Sequence, residues 1–211
     1  MAEAPEDLQA LAEEWPLLWL LKLPPQANVV VAGAYRGQVM HLLATAYPDI
    51  GRLVGFEPQE SALIAAVMRL RGAKPRVQVE PYGLGIEDGR FDMADDDSIF
   101  ASFLEGASRS SEAKHGNGEL REATAAFESL GLDRIDLLLL NIEGYEWHLL
   151  PHLLRNNWFE TGRIRRLALQ VHWGFGYDHT LVDITREIER THKRVFDEIP
   201  SWGYWQWSGA E

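Results

Sequence analysis

The chain has 211 residues, a length that suits one α/β domain with a large buried core. Its formal net charge of −12 argues against a nucleic-acid partner, because phosphate backbones are bound by clustered Lys and Arg. The absence of cysteine excludes disulfides and thiolate chemistry. We therefore expect a single domain, residues 1–211, with no nucleic acid as partner.

The amino-terminal segment predicts a helical extension rather than a targeting signal. Its first seven residues are acidic, which is not typical of a secretory signal. Residues 7–23 carry apolar side chains at helical spacing and end at two prolines, so an extension within residues 1–25 is predicted. The apolar part is too short to span a bilayer. We therefore expect a cytoplasmic protein without a membrane partner.

From residue 28 onward, the hydrophobic period alternates between strand and helix. This alternation predicts right-handed βαβ crossovers, a mostly parallel sheet and helices on both of its faces. The last two apolar segments flank a Pro-Ser-Trp-Gly turn and predict a closing antiparallel hairpin. Strands are predicted at 28–32, 52–56, 76–81, 135–140 and 165–172, and helices at 37–47, 59–71, 120–130, 144–155 and 179–193.

A glycine turn follows the first strand and an acidic residue follows the second. In the turn Gly33-Ala34-Tyr35-Arg36-Gly37, the glycines have no Cβ, so the backbone can turn tightly and approach a ligand. Glu57 can accept two hydrogen bonds from a ribose diol. The pattern is not G-x-G-x-x-G, which disfavours a dinucleotide dehydrogenase. A structural turn that binds no ligand is the alternative.

The segment from Gly89 to Gly118 is rich in Asp, Ser and Gly. Its polarity favours a loop that covers the site over a second domain. An acidic run of this kind is usually solvated, so no metal is predicted.

Two later strands place polar groups at their carboxyl ends, where open α/β sheets bind ligands. Asn141 and Glu143 follow the strand at 135–140, and His172 ends the strand at 165–172. A histidine with an ordinary pKa of about 6.5 can accept a hydroxyl proton near neutral pH. The alternatives are a core histidine at His172 and a helix-capping role for Glu143.

Taken together, three segments resemble the FkbM-type methyltransferases. They are Val31 to Gly37, Phe56-Glu57-Pro58 and Ile135 to Glu146. Val31 and Asn141 both stand where the family usually has an aspartate. These departures leave open a binding or regulatory module that keeps the fold without the chemistry, and a different nucleotide enzyme such as a reductase remains a further alternative.

The resemblance implies a Rossmann-like class I fold with a mostly parallel seven-stranded sheet, and S-adenosyl-L-methionine as cofactor. It also implies O-methylation of a small hydroxylated molecule, such as a sugar or glycosylated natural product. Asn141 would orient the acceptor, and His172 or Glu143 would take its proton. The residues expected at the cofactor are Gly33, Ala34, Tyr35, Gly37, Glu57, Pro58, Gly83 and Leu84.

Overall fold

A computed structural model of the protein describes residues 20–94, 115–171, 178–198 and 202–209. Most of the predicted amino-terminal helix lies outside these ranges, and residues 20–23, which are described, are not helical. In chain order the described elements are β1 (Asn28–Ala32), α1 (Gln38–Ala46), β2 (Arg52–Phe56), α2 (Glu60–Arg69), β3 (Arg76–Glu80), β4 (Gly83–Gly85), β5 (Gly89–Ala94), β6 (His115–Glu122), α3 (Ala123–Ser129), β7 (Leu137–Leu140), α4 (Glu146–Arg155), β8 (Arg166–Gln170), α5 (Asp178–Glu189), β9 (His192–Glu198) and β10 (Trp202–Trp207).

The larger sheet has seven strands in the order β3-β2-β1-β7-β8-β10-β9. The first five pair in parallel, and β10 runs antiparallel to both β8 and β9. This is the mostly parallel α/β sheet with a closing hairpin that the alternating periodicity predicts. Because β1 lies between β2 and β7 and is parallel to both, the carboxyl ends of these three strands meet on one side of the sheet.

Both faces of this sheet are buried, which explains the continuous apolar runs of its strands. Val30 and Ala32 of β1 belong to one hydrophobic cluster, while Val29 and Val31 belong to the other. Side chains of α3, α4 and α5 join the first cluster, and side chains of α1 join the second. Leu21 also packs into the second cluster, and the Tyr204 hydroxyl donates to its carbonyl oxygen at 3.3 Å.

A second sheet corrects the prediction of a loop at 89–118. Its strand order is β4-β6-β5, with β5 antiparallel and β4 parallel to β6. Both ends of the predicted loop are therefore strands, because they pair with each other across the residues between them. Residues 95–114 lie outside the described ranges, and a covering role for them stays a prediction.

The new strand also shortens the helix predicted at 120–130. Residues 120–122 belong to β6, and α3 begins at Ala123. The Glu122 carboxylate caps that helix by accepting from the backbone N–H groups of Thr124 at 2.9 Å and Ala125 at 2.7 Å. The other predicted strands and helices agree with the structure to within a few residues at their ends.

None of the helices in the described ranges is long and apolar enough to cross a membrane.

Candidate active site

The glycine turn after β1 joins three strand ends. The amides of Gly33 and Ala34 both donate to the carbonyl oxygen of Phe56, at 3.1 and 3.0 Å. Gly33 has a φ of +80°, and a Cβ there would lie 1.8 Å from the carbonyl oxygen of Asn141. Only glycine fits between β1 and β7 at this point. The predicted convergence of the ends of β1, β2 and β7 is therefore present.

Gly37 begins α1 and lets it approach α2. Its φ is +77°, and its N–H donates to the Ala34 carbonyl at 2.9 Å. A Cβ at Gly37 would lie 3.0 Å from the Cα of Ala66 in α2. Tyr35 has a φ of +46°, an uncommon conformation for a residue with a side chain. The backbone of the turn is thus held in a shape that its sequence alone does not favour.

The Glu57 side chain stabilises this turn by accepting a hydrogen bond from its backbone. Its side chain is buried, with Oε2 accepting from the Tyr35 N–H at 2.6 Å and Oε1 accepting from the Gln59 N–H at 2.9 Å. Burial raises the pKa of Glu57 to about 7, although both backbone hydrogen bonds oppose that shift. A carboxylate offers about four acceptor positions, so two stay available for a ligand. Pro58 follows Glu57 in the chain and is half-buried.

Asn141 presents a buried acceptor at the end of β7. Its backbone N–H donates to the Ala32 carbonyl at 3.1 Å, which fixes it beside β1. Its side-chain Oδ1 is buried and has no hydrogen-bond partner among the described residues. Since buried polar atoms are almost always bonded, this oxygen requires a donor from a ligand, a water molecule or the chain outside the described residues. Glu143 lies two residues further on, half-buried and with a φ of +53°.

Glu146 is a structural residue of this site to which the sequence pattern assigns no role. It is 1% exposed, and its carboxylate accepts from the Ile142 N–H at 2.8 Å and the Gly144 N–H at 2.9 Å. It therefore fixes the loop that carries Asn141 and Glu143. An acidic residue in the first turn of a helix is the sequence signal that points to such a role.

Gly83 and Leu84 lie in β4, which follows the carboxyl end of β3. Both are buried, and the Leu84 side chain packs in the core with Tyr82. Just beyond β4, the backbone of Ile86 forms a hydrogen bond with the Tyr145 side chain. Burial raises the pKa of this tyrosine, and the hydrogen bond opposes that rise. The end of β3 is thereby connected to the loop after β7. Contact of β4 with an adenine ring stays a prediction.

His172, the predicted general base, lies outside the described residues, which stop beside it at Val171. Its role and the core alternative both stay predictions. Among the described residues there is no group of three or more His, Cys, Asp or Glu side chains arranged to hold a metal ion.

Two solved structures are similar to this chain over most of its length. One is a protein named as an rRNA methylase from Clostridium thermocellum, 9% identical, with 99% of each chain covered and a TM-score of 0.52. The other is a fibrillarin pre-rRNA processing protein from Methanococcus jannaschii, 10% identical, covering 90% of this chain and 71% of that one, with a TM-score of 0.51. No protein-family model and no curated protein matches the sequence. The likeness confirms the predicted Rossmann-like α/β fold.

Proposed function

We propose that the protein is an S-adenosyl-L-methionine-dependent O-methyltransferase of the FkbM type that acts on a small hydroxylated molecule such as a sugar. The observation behind this proposal is the buried Oδ1 of Asn141, which has no partner among the described residues and lies at the strand end that touches the Gly33 turn. Buried acceptors of this kind are filled by a donor, and an alcohol is a donor of suitable size.

The three strand ends fit the cofactor. The left-handed backbone at Gly33 and Gly37 shapes a tight turn at the sheet edge. Glu57 retains acceptor positions for a ribose diol. Val31 is buried in the core and supplies no carboxylate, so cofactor binding depends strongly on Glu57. When bound, S-adenosyl-L-methionine supplies an electrophilic methyl group carried on sulfonium.

The residues after β7 would prepare the acceptor. Oδ1 of Asn141 would accept a hydrogen bond from a neighbouring, non-reacting hydroxyl of the substrate and so orient the hydroxyl that is methylated. An amide cannot ionise near neutral pH, so the proton of the reacting hydroxyl passes to another group. Glu143 is the described candidate for this base, and His172 is the second. Positioning of the two reactants would supply much of the rate enhancement.

RNA is a second candidate acceptor, because both similar structures bear names that concern ribosomal RNA. The net charge of −12 disfavours it, since RNA binding draws on clustered cations. A small molecule therefore remains our preferred acceptor.

Calorimetry with S-adenosyl-L-methionine, S-adenosylhomocysteine and nicotinamide cofactors separates the function classes. Binding of both adenosyl ligands supports the proposal, whereas selective binding of a nicotinamide cofactor would identify a reductase. A screen of sugars, hydroxylated natural products and RNA, measuring S-adenosylhomocysteine release, then identifies the acceptor. Tight cofactor binding without turnover on any acceptor would favour the regulatory alternative suggested by Val31 and Asn141.

The substitution Asn141→Leu tests directly whether the buried Oδ1 of Asn141 binds the acceptor. Leucine has a similar size but lacks the acceptor oxygen. We expect S-adenosyl-L-methionine to bind the variant with nearly unchanged affinity while kcat/KM for the acceptor falls at least tenfold. Unchanged kcat/KM would remove Asn141 from the acceptor site.

A further inference from the structure

A cavity lies at the end of the parallel strands opposite the candidate active site. It has a volume of about 160 Å³ and lies at the amino ends of β7 and β8, where antiparallel β10 ends. Its lining includes three arginines, Arg134, Arg165 and Arg166, but a single carboxylate, Asp136. In a chain with a net charge of −12, this local excess of two positive charges is unusual.

Arg166 is a buried cation that forms no ion pair with another described residue. The residue is 8% exposed, and its Nε has no hydrogen-bond partner among the described residues. Its Nη1 donates to the backbone carbonyl of Asp136 at 3.4 Å, and its side chain also hydrogen-bonds Tyr204. Both partners are neutral. Arginine does not lose its proton in proteins, so the buried charge must be balanced from outside this set.

The single carboxylate of the cavity is already engaged. Asp136 Oδ2 accepts from the Asn28 N–H at 2.9 Å, and its Oδ1 lies 3.3 Å from Nε of Arg134. It is the single carboxylate among the described residues that line the cavity, so the three arginines keep an excess of two positive charges there. No carboxylate of the described ranges lies within ion-pair distance of Arg166.

A second buried donor completes the cavity wall. Nε1 of Trp207 is buried and has no partner within the described ranges. The Arg165 guanidinium lies 5.6 Å from the centre of the Trp207 ring, so the two side chains are neighbours. Two unpartnered buried donors and an excess of positive charge are the features that oxygen anions require.

We propose that this cavity is a binding site for a small oxyanion, of the phosphate or carboxylate type, separate from the methyltransferase site. The volume is adequate, because a protein cavity of about 150 Å³ accommodates a molecule as large as benzene. Arg165 and Arg166 supply the charge, and the Nε atoms of Arg166 and Trp207 supply directed donors. This proposal does not depend on the proposed function, since the cavity lies at the amino ends of the parallel strands and the methyltransferase site at their carboxyl ends.

Thermal unfolding and calorimetry of the full chain test the proposal with two probes, inorganic phosphate and acetate, at constant ionic strength in sodium chloride. A site-bound anion raises the unfolding temperature in a saturable way, as expected for a ligand of the folded state. The probe that saturates at the lower concentration distinguishes a phosphate site from a carboxylate site.

Variants of the partly exposed arginines that line the cavity test the site while leaving the buried Arg166 unchanged, so that folding is little affected. Arg165→Gln and Arg134→Gln remove one charge each from side chains that are not fully buried. We expect Arg165→Gln to weaken binding of the preferred probe at least tenfold, and Arg134→Gln to weaken it less, because Arg134 is more exposed and already pairs with Asp136. Arg76→Gln is the matched control, because Arg76 is exposed at the amino end of β3, four strands away in the same sheet edge. It should bind like the parent protein.

Two results would overturn the site. One is a lack of saturable stabilisation by either probe at millimolar concentration. The other is equal stabilisation of the parent, Arg165→Gln and Arg134→Gln proteins, which would show general exclusion of the salt from the protein surface.

Discussion

Replacement of Glu57 tests the part of the site on which the cofactor depends most. The buried carboxylate accepts two backbone hydrogen bonds, from Tyr35 and Gln59, and has positions left for a ribose diol. Each hydrogen bond to a charged group contributes about 1.5–3 kcal/mol. Glu57→Ala should therefore weaken S-adenosyl-L-methionine binding at least tenfold, even before any relaxation of the turn.

The raised pKa of Glu57 gives the same assignment a pH dependence. With a pKa of about 7, roughly one-tenth of the side chains are ionised at pH 6 and nine-tenths at pH 8. If the carboxylate binds the diol, cofactor affinity should rise about tenfold over that interval. The isosteric variant Glu57→Gln should bind weakly and show no such rise.

The unfolding free energy of the cofactor-free protein should fall as the pH rises, whereas its cofactor affinity should rise. Folding raises the pKa of Glu57 from 4.5 to about 7, so the protonated form is favoured in the folded state. The contribution of Glu57 to the free energy of unfolding is complete below about pH 4.5 and is lost as the pH rises through 7. Over this pH range the parent protein should lose about 3 kcal/mol of unfolding free energy that the Glu57→Gln variant keeps.

Calorimetry at pH 6, 7 and 8 measures the affinity, and urea unfolding measures the stability. Glu60→Ala is the control for charge, because Glu60 is exposed in the first turn of α2. It should leave both quantities nearly unchanged. Parent-like cofactor affinity in a folded Glu57→Ala protein would refute the ribose assignment.

Three further predictions concern the turn, the base and metal dependence. Gly33→Ala should destabilise the protein by several kcal/mol in urea unfolding, because its Cβ would meet the Asn141 carbonyl; Gly72→Ala, with a similar φ of +81° but open space, should cost only about 1–2 kcal/mol. If His172 is the base, His172→Ala should lower kcat by about 10²–10⁴-fold at unchanged cofactor affinity, and the acid limb of its pH–rate profile should vanish. Loss of activity in Glu143→Gln instead would assign the base to Glu143. Activity should survive EDTA, and a loss that magnesium restores would show a metal site.

The sequence was sufficient for the central sheet and for the meeting of its strand ends. β1 and β2 lie where their apolar runs predict, because such runs between turns have little choice but to form buried strands. Once the strands are parallel, Gly33, Glu57 and Asn141 must gather at one edge. Their proximity thus follows from topology, whereas their hydrogen bonds do not.

Features that depend on distant partners could not be predicted. β6 is mostly polar and glycine, and it forms a strand because it pairs with β5 and β4. The bonds from Glu57 to the turn, and from Glu146 to its own loop, depend on side-chain directions that periodicity does not give. An arginine is ordinarily exposed, so nothing in the sequence marks Arg166 as buried.

The position of β10 has a consequence for synthesis on the ribosome. β10 lies between β8 and β9, and Tyr204 within it bonds Leu21, a residue 183 positions earlier. Until this strand leaves the ribosome, β8 has an open edge and β9 has no neighbour in the sheet. Closure of the sheet is therefore postponed until β10 has been synthesised, and until then the nascent chain depends on protection of that edge against pairing with other chains.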